Sequence, residues 1–272
     1  MTHEKFKKLI WDYYAANKRI FPWRTTTDPY AILVSEIMLQ QTQTERVIPK
    51  YTAWLEVFPT AEVLAKAPLQ QVLTYWQGLG YNRRALALQR AAQTVVQKYS
   101  KKFPTTYAEL LDLPGIGPYT AGAVLAFAFN KAHPIIETNI RTVYIHEFFS
   151  KEHGEIHDSE ILELVRKTLD QKNPRDWYYA LMDYGVMLKK AHGNANKRSK
   201  HYTKQSKFIG SNRQIRAAIV RAITKSPQTE KSLIKQLELE NISTTPEIID
   251  KNLLKLCDEG FIVKQGQKFG IL

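Results

Sequence analysis

The stretch Leu113–Phe129, LPGIGPYTAGAVLAFAF, places two glycines around one aliphatic residue and then continues as a mostly apolar segment. Gly115 and Gly117 permit a tight turn whose backbone N–H groups point outward at the start of a helix, and this geometry suits a phosphate group. An ordinary helix–helix turn is the alternative, because a G-x-G pattern alone is weak evidence. The stretch predicts two helices joined by a tight hairpin, the second beginning near Tyr119.

The chain on both sides of this hairpin has the apolar spacing of successive amphipathic helices, from Glu4 to about Lys189, without a long alternating strand pattern. Asp28 or Thr27 can cap a helix with Pro29 in its first turn, and Thr60 can cap the next. We therefore predict an all-α fold. Short breaks separate its helices, at Phe21-Pro22, Asp28-Pro29, Phe58-Pro59, Ala67-Pro68, Gly78–Gly80, Phe103-Pro104 and Asn173-Pro174.

Composition limits the class of protein. The chain has 272 residues, of which 44% are hydrophobic. This is enough for one larger and one smaller domain, each with a hydrophobic core. The longest purely apolar run, residues 123–129, is far too short to span a bilayer. The first residues lack the pattern of a secretory signal, so we expect a cytoplasmic protein, nucleoid-associated if the source is prokaryotic. Cys257 is the single cysteine, which excludes an internal disulfide and a four-cysteine metal site.

The positive charge is concentrated in one segment. The net charge is +13, and eleven basic residues but no acidic ones lie between Lys189 and Lys225. Such a segment can bind a polyphosphate by counterion release, although a solvated linker without a partner is the alternative. Residues 193–212 are rich in Gly, Asn, Ser and Lys and predict a linker within this segment.

The residues after the linker predict a small separate domain. Helical patterns cover residues 213–224, 229–237 and 246–259. Gly260 is predicted to be the C′ residue of the last helix, before an alternating hairpin over residues 261–272. Three helices and a hairpin indicate a winged helix-turn-helix domain. Its third helix carries mixed charge, so direct DNA binding and packing against a partner both stay open. We therefore expect three regions, residues 1–192, 193–212 and 213–272.

Five stretches together resemble the helix-hairpin-helix (HhH-GPD) DNA glycosylases, in the order and at the spacing of the adenine-specific branch of that family. They are FPWR (21–24), DPYAILVSEIMLQQTQ (28–43), WQGLGYNRRA (76–85), the hairpin stretch (113–129) and PIIETNIRTV (134–143). The resemblance covers about residues 1–190. It implies two helical subdomains that hold double-stranded DNA and an extruded base in the cleft between them.

Breaking an N-glycosidic bond requires an acid that protonates the departing base and an anion that stabilises the cationic sugar. Glu36 lies in an otherwise apolar helical stretch, where burial raises the pKa of a carboxyl toward that of a working acid, and it matches the family's catalytic acid. Glu137 stands where the family normally has Asp, and with its longer arm it can serve as the second carboxylate only if the helix retreats or the side chain folds back. Asn139 matches a residue that orients the site.

The resemblance also assigns the residues around the base. Tyr119 stands where relatives similar to endonuclease III carry a Lys that forms a Schiff base, so we expect base removal without strand cleavage. Arg24 and Asp183 match positions that contact the base edge, although Asp183 is shorter than the Glu usual in adenine-specific members. Gln41 and Tyr81 match the family's wedge residues, which fill the hole left by the extruded base. The full set of expected DNA-binding residues is Gln40, Gln41, Thr42, Leu79, Tyr81, Gly115, Gly117, Lys200, Lys204 and Lys207.

Two departures from the family bear on function. The segment from Met187 to Phe208, where the family holds an iron–sulfur cluster, has no cysteine, so we expect no cofactor and no metal there. The family's C-terminal domain, which inspects 8-oxoguanine, has no expected counterpart, and the winged helix-turn-helix domain stands in its place. The basic segment can take over DNA contacts from the cluster.

These features lead to one hypothesis and its alternatives. The chain is expected to be a monomeric, monofunctional DNA glycosylase of base excision repair that removes a mispaired base, adenine opposite 8-oxoguanine or guanine. One alternative keeps the reaction but changes the base to mismatched thymine or uracil, or to a deaminated purine. The other is a catalytically inactive protein that binds damaged DNA, which Glu36 argues against and Glu137 keeps open.

Overall fold

The structure is a computed structural model that describes residues 1–150 and 154–272. These residues form two compact units, each assembled from two separate segments of the chain. The first unit comprises Met1–Ile37 and Phe103–Lys204, and the second comprises Met38–Lys102 and Gln205–Leu272. This division by packing differs from the division along the chain into residues 1–192, 193–212 and 213–272, which stays a prediction.

The fold is mostly helical, as predicted. In chain order, the helices of the described residues are α1 His3–Asn17, α2 Pro29–Leu39, α3 Thr44–Val57, α4 Ala61–Lys66, α5 Leu69–Trp76, α6 Arg83–Lys98, α7 Tyr107–Leu111, α8 Pro118–Phe129, α9 Thr138–Phe148, α10 Asp158–Thr168, α11 Pro174–His192, α12 Asn212–Lys225, α13 Glu230–Leu239 and α14 Pro246–Asp258. Three short strands are β1 Gln228–Thr229, β2 Ile262–Gln265 and β3 Lys268–Ile271. Short 3-10 turns cover Pro22–Arg24 and Ala195–Arg198.

The predicted hairpin joins α7 to α8. Gly115 has a φ of +77°, a left-handed conformation that favours glycine, and the Ile116 N–H donates to the carbonyl of Leu113 at 3.1 Å. Leu113 and Ile116 are buried, which anchors the turn. Helix α8 then begins at Pro118, next to the predicted start. Its residues 120–128 are all buried, as expected for a helix that is apolar on every side.

Two predicted helix caps are confirmed. Asp28 accepts a hydrogen bond from the Ala31 N–H at 3.0 Å, just ahead of α2. Thr60 accepts one from the Val63 N–H at 3.3 Å at the start of α4. Each side chain satisfies a backbone donor that has no partner within its own helix, and this sets where the helix begins.

The first unit has an aromatic core between α1, α9 and α11. The Phe6 ring lies 5.2 Å from that of Tyr144 and 6.0 Å from that of Trp177, measured between centroids. Helices α9 and α11 also approach closely at Gly185, where an added Cβ would lie only 2.5 Å from the carbonyl oxygen of Asn139. This close approach fixes the N-terminal part of α9, on which two candidate site residues depend.

The C-terminal residues form the predicted three helices and hairpin, with one addition. Strand β2 pairs antiparallel with β3, and Gly266 occupies the turn with a φ of +60°. Strand β1, which the sequence did not predict, pairs with the other edge of β3, so the sheet order is β1-β3-β2. Two residues of β1 are too few to show an alternating pattern. The winged helix-turn-helix interpretation stays a prediction.

Within the second unit, the C-terminal helices pack on the helices of residues 38–102. The Gln70 amide of α5 donates to the carbonyl of Thr224 in α12 at 2.7 Å. Glu259 pairs with Arg83 of α6 and, at 2.6 Å, with Arg216 of α12. Among the described residues, no helix combines the length and apolar character needed to cross a membrane.

The two hairpin glycines should respond differently to substitution. Gly115→Ala places a side chain at a φ of +77° and should lower the free energy of unfolding by about 1–2 kcal/mol. Gly117 has an ordinary φ of −94° and open space around an added Cβ, so Gly117→Ala should cost less than about 1 kcal/mol. Urea unfolding of both variants measures the difference, and equal losses would contradict this account of the hairpin.

Candidate active site

Glu36 is a buried carboxyl in the first unit. Glu36 lies on α2 and only 7% of its surface is exposed. Its neighbours along the helix, including Leu33 and Ile37, are buried too. Burial raises the pKa of Glu36 to about 7, a hydrogen bond from the Tyr119 hydroxyl opposes that rise, and the charge of Glu137 adds to it. The group therefore holds a proton near neutral pH that it can also release.

Glu137 caps helix α9 with its own side chain. One carboxylate oxygen accepts from the backbone N–H of Asn139 at 2.7 Å and of Ile140 at 2.8 Å. The other accepts from the Asn139 side-chain amide at 3.2 Å. The longer arm of this residue is thus folded back on the helix, which is one of the two arrangements expected from the sequence. Burial raises the pKa of Glu137, while the two backbone hydrogen bonds favour its charged form.

Tyr119 contacts one carboxyl group and is affected by the charge of the other. It is the second residue of α8, directly after the hairpin, and its hydroxyl donates to Glu36. Burial raises the pKa of Tyr119 well above its usual value, and the charges of Glu36 and Glu137 raise it further. The structure therefore brings Glu36, Glu137, Tyr119 and Asn139 into one electrostatic neighbourhood, as the sequence predicted, although their catalytic roles stay predictions.

The carboxylate of Asp183 accepts hydrogen bonds from two arginines. It accepts from both terminal nitrogens of Arg24 at 2.8 Å, and from the Arg19 side chain at 2.6 Å and backbone at 3.0 Å. Burial opposes its ionisation, but the hydrogen bonds and charge of Arg24 outweigh burial and lower the pKa of Asp183. Its oxygens are directed at the arginines, which favours a role in holding Arg24; contact with a base edge stays a prediction.

Arg24 lies over an aromatic ring that the sequence analysis did not select. Its guanidinium carbon is 4.4 Å from the ring centroid of Tyr179, and that ring stacks on Phe127 at 4.5 Å. The charge of Arg24 also lowers the pKa of Glu36, which places the guanidinium within electrostatic range of the acid. Tyr179 and Arg19 carried no motif signal, because their positions follow from helix packing and not from local spacing.

The predicted wedge residues lie in the second unit, in two loops. Helix α2 ends at Leu39, so Gln41 is in a turn, with a φ of +55°. Tyr81 has a φ of +48° and is 39% exposed. Left-handed backbone is uncommon for such residues and clusters at functional sites. In the loop that holds Tyr81, Leu79 is buried. In the loop that holds Gln41, Thr42 is the next residue.

A single guanidinium joins these two loops. Arg84 donates to the carbonyls of Met38 and Gln40 at 3.1 and 2.6 Å, and to those of Leu79 and Gly80 at 2.8 and 3.0 Å. The planar fork of Arg suits this task because it presents several donors in fixed directions. Arg84 lies within the WQGLGYNRRA motif, but sequence could not show that its partners are backbone carbonyls from two loops.

The predicted phosphate-binding lysines are exposed. Lys200 and Lys204 belong to the first unit and Lys207 to the second. Across the described ranges, none of the ion pairs includes them. Part of the predicted linker is nevertheless ordered, because Ser199 is buried and the Lys200 N–H donates to the carbonyl of Ile156 at 3.0 Å.

The residues present do not fit an iron–sulfur cluster. Such a cluster needs four cysteine thiolates, and the sequence has Cys257 alone, on α14 in the second unit. No group of His, Cys, Asp and Glu suited to a metal ion occurs in the part of the chain that the structure describes. Residues 193–200 are instead held by contacts such as the Arg198 side chain donating to the carbonyl of Phe149 at 2.8 Å.

The fold and these residues define a class of protein. The sequence profile of the HhH-GPD superfamily, base excision DNA repair proteins, matches residues 34–169, which is half of the chain. The chain belongs to this superfamily. The matched range includes Glu36, Tyr119 and Glu137 together with the hairpin.

Comparison with individual proteins shows how similar the chain is to particular DNA glycosylases. The chain is 38% identical over 184 residues to the adenine DNA glycosylase of Buchnera aphidicola subsp. Baizongia pistaciae, covering 66% of this chain and 51% of that protein. It is 35% identical over 195 residues to adenine DNA glycosylase of Homo sapiens, covering 67% of this chain and 36% of that protein. The solved structure of a thermostable thymine-DNA glycosylase has a TM-score of 0.62 at 29% identity, covering 68% and 86% of the two chains. The chain thus spans about half or less of these curated relatives.

The two neighbours of Glu36 should move its pKa in opposite directions. Glu137→Gln removes a negative charge that raises the pKa, so the pKa of Glu36 should fall below its value of about 7. Tyr119→Phe removes a hydrogen bond that stabilises the charged carboxylate, so the pKa should rise above that value. NMR titration of the Glu36 carboxyl carbon measures both shifts, and two shifts of the same sign would contradict the arrangement.

Proposed function

We propose that the protein is a monofunctional DNA glycosylase of base excision repair, which hydrolyses the N-glycosidic bond of a mispaired adenine. The opposite base is 8-oxoguanine or guanine. The observation that carries the proposal is the pairing of a buried acid, Glu36, whose pKa is about 7, with a second carboxylate held by hydrogen bonds, Glu137. These are the two groups that cleavage of a glycosidic bond requires.

The reaction follows from the different surroundings of the two groups. Glu36 gives its proton to a ring nitrogen of the extruded adenine, and the electron pair of the glycosidic bond leaves with the base. The sugar becomes an oxocarbenium-like cation, which the carboxylate of Glu137 stabilises, and water then adds to the anomeric carbon and releases a proton. Asn139 holds Glu137 in place through its side-chain amide.

Tyr119 restricts the outcome to base removal. A phenol has no amine, so it cannot form the Schiff base through which bifunctional glycosylases cut the strand. Its hydroxyl instead donates to Glu36. The product is an abasic site in an intact strand.

The identity of the base rests on similarity. The similar proteins of Buchnera aphidicola and Homo sapiens are named adenine DNA glycosylases. The similar solved structure, with a TM-score of 0.62, is of a thymine-DNA glycosylase. Mismatched thymine or uracil is therefore the second candidate. Arg24 and Asp183, which are joined by hydrogen bonds, are the proposed residues of the base pocket.

Double-stranded DNA with a mispaired or damaged base is the proposed partner. The exposed lysines, the hairpin with its open Gly117 and the two wedge loops support this proposal. We further propose that the protein acts as a monomer without a cofactor, in the cytoplasm or on the nucleoid. The exposed basic residues can neutralise phosphates on either side of the base.

Glu36→Gln should abolish base release while DNA binding persists. The amide has the size of the acid but no acidic proton to transfer, so single-turnover release should fall by about 10²- to 10⁴-fold. Affinity for the duplex should change by less than about threefold, because phosphate contacts supply most of it. In the unmodified protein, release should decline as pH rises through about 7, as Glu36 loses its proton.

The measurement uses duplexes with adenine opposite 8-oxoguanine or guanine, thymine or uracil opposite guanine, and hypoxanthine. Strand breaks after alkali report base release, and breaks without alkali report strand cleavage. Glu56→Gln, a change at an exposed glutamate, is the matched control. Unchanged release by Glu36→Gln would refute the assignment of the acid, and binding without release from every duplex would support the inactive alternative.

Replacing Lys200, Lys204 and Lys207 with Ala should weaken binding to all duplexes alike. Each lost phosphate contact should reduce the slope of log affinity against log salt by about 0.9. A variant with Ala at the exposed residues Lys5, Lys66 and Lys102 carries the same charge change and should keep the slope. Fluorescence anisotropy at several salt concentrations measures the slopes. If the two variants have equal slopes, the segment is a solvated linker.

A further inference from the structure

The hydroxyl of Tyr81 is held by one residue of the predicted linker, Gln205, and by one residue directly after it, Arg213. It accepts hydrogen bonds from the Arg213 guanidinium at 2.6 Å and from the Gln205 amide at 2.8 Å. The guanidinium carbon of Arg213 also lies 5.2 Å from the centroid of the Tyr81 ring. All three residues belong to the second unit. A partly exposed tyrosine is thus restrained at both its ring and its hydroxyl.

Arg213 is itself fixed in place. It lies in the first turn of α12, and a terminal nitrogen donates to the carbonyl of Ser206 at 2.6 Å and to its hydroxyl at 3.2 Å. The beginning of α12 is tied to α14, because the Asn252 amide donates to Asn212 at 2.8 Å. Its end is tied to α5 by Gln70, as described above. The guanidinium therefore extends from an anchored helix and not from a free linker.

Two arginines hold the Tyr81 loop. Arg84 donates to the carbonyls of Leu79 and Gly80, and its guanidinium carbon lies 5.6 Å from the centroid of the Tyr81 ring. Arg213 donates to the Tyr81 hydroxyl, so it restrains the hydroxyl end of the side chain. A cavity of about 540 Å³ lies beside this contact, and its lining includes Gln41, Tyr81, Gln205 and Arg213. The ring thus stands at the edge of an open space, restrained but not enclosed.

We propose that Arg213, with Gln205, is a positioning residue for Tyr81, which it holds in the orientation needed to enter the base stack during base extrusion. This inference rests on the proposed function, because it takes Tyr81 as a wedge. Ordering a side chain before binding removes a cost that otherwise changes an equilibrium by about 2- to 10-fold. The C-terminal helices thereby contribute to base extrusion through Tyr81.

Wedge insertion can be measured without any bond cleavage. The probe is a duplex with a tetrahydrofuran abasic analogue next to 2-aminopurine, whose fluorescence rises when stacking is lost. Arg213→Ala should reduce the equilibrium fluorescence rise or its rate by about 2- to 10-fold relative to the unmodified protein. Its melting temperature should stay unchanged, because the contact is at the surface. Lys235→Ala, an exposed site on α13, controls for the lost charge.

A double-mutant cycle separates positioning from a general effect of charge. Tyr81→Phe removes the acceptor hydroxyl, so Arg213→Ala should have a smaller effect in that background than in the unmodified protein. An equal effect in both backgrounds, no effect, or faster insertion in Arg213→Ala would each overturn the proposal. Faster insertion would show that the contact restrains the wedge instead of preparing it.

The same experiment distinguishes this inference from the proposed function. Because the probe duplex has no base to remove, the fluorescence response can be measured even if the protein releases no base from any duplex. Loss of base release with the predicted cycle intact would refute the proposed function alone. Base release together with insertion that does not depend on Arg213 would refute the positioning role alone.

Discussion

The structure of the site depends on the burial of one carboxyl group. Placing Glu36 within an apolar helix raises its pKa to about 7, and the hydrogen bond from Tyr119 and the charge of Arg24 favour its charged form. Glu137 differs in that its oxygens receive backbone and side-chain hydrogen bonds at the start of α9. Burial raises the pKa of both groups, but only Glu137 receives backbone hydrogen bonds that favour its charged form, so the two carboxyl groups have different surroundings.

The hairpin and the packing of α9 against α11 bring these groups together. Gly115 turns the chain so that Tyr119 follows in the first turn of α8, and Gly185 lets α11 approach the backbone of Asn139. In the second unit, Arg84 has the corresponding role for two loops with left-handed residues. Glycines and one arginine thus set the backbone on which the candidate catalytic residues and the predicted wedge residues depend.

Sequence reasoning was strongest where a local physical rule applied. The caps Asp28 and Thr60, the glycine turn and the apolar run of α8 were predicted because each depends on neighbours a few residues away. Strand β1 was not predicted, because it is only two residues long and is defined by its pairing with the edge of β3. Sequence reasoning also missed Arg19, Tyr179 and Arg84, since nothing in their local spacing shows which distant groups they contact.

The sequence by itself determined the helical class, the hairpin, the two candidate carboxyl groups and the lack of cysteines for an iron–sulfur cluster. Only the tertiary structure decided that Asp183 is occupied by two arginines, that Glu137 folds back as a helix cap, and that residues within and directly after the linker hold Tyr81. The reason is physical: helix type and turns follow from short-range sterics and capping, whereas the proton affinity and orientation of a side chain depend on groups that folding brings from far along the chain.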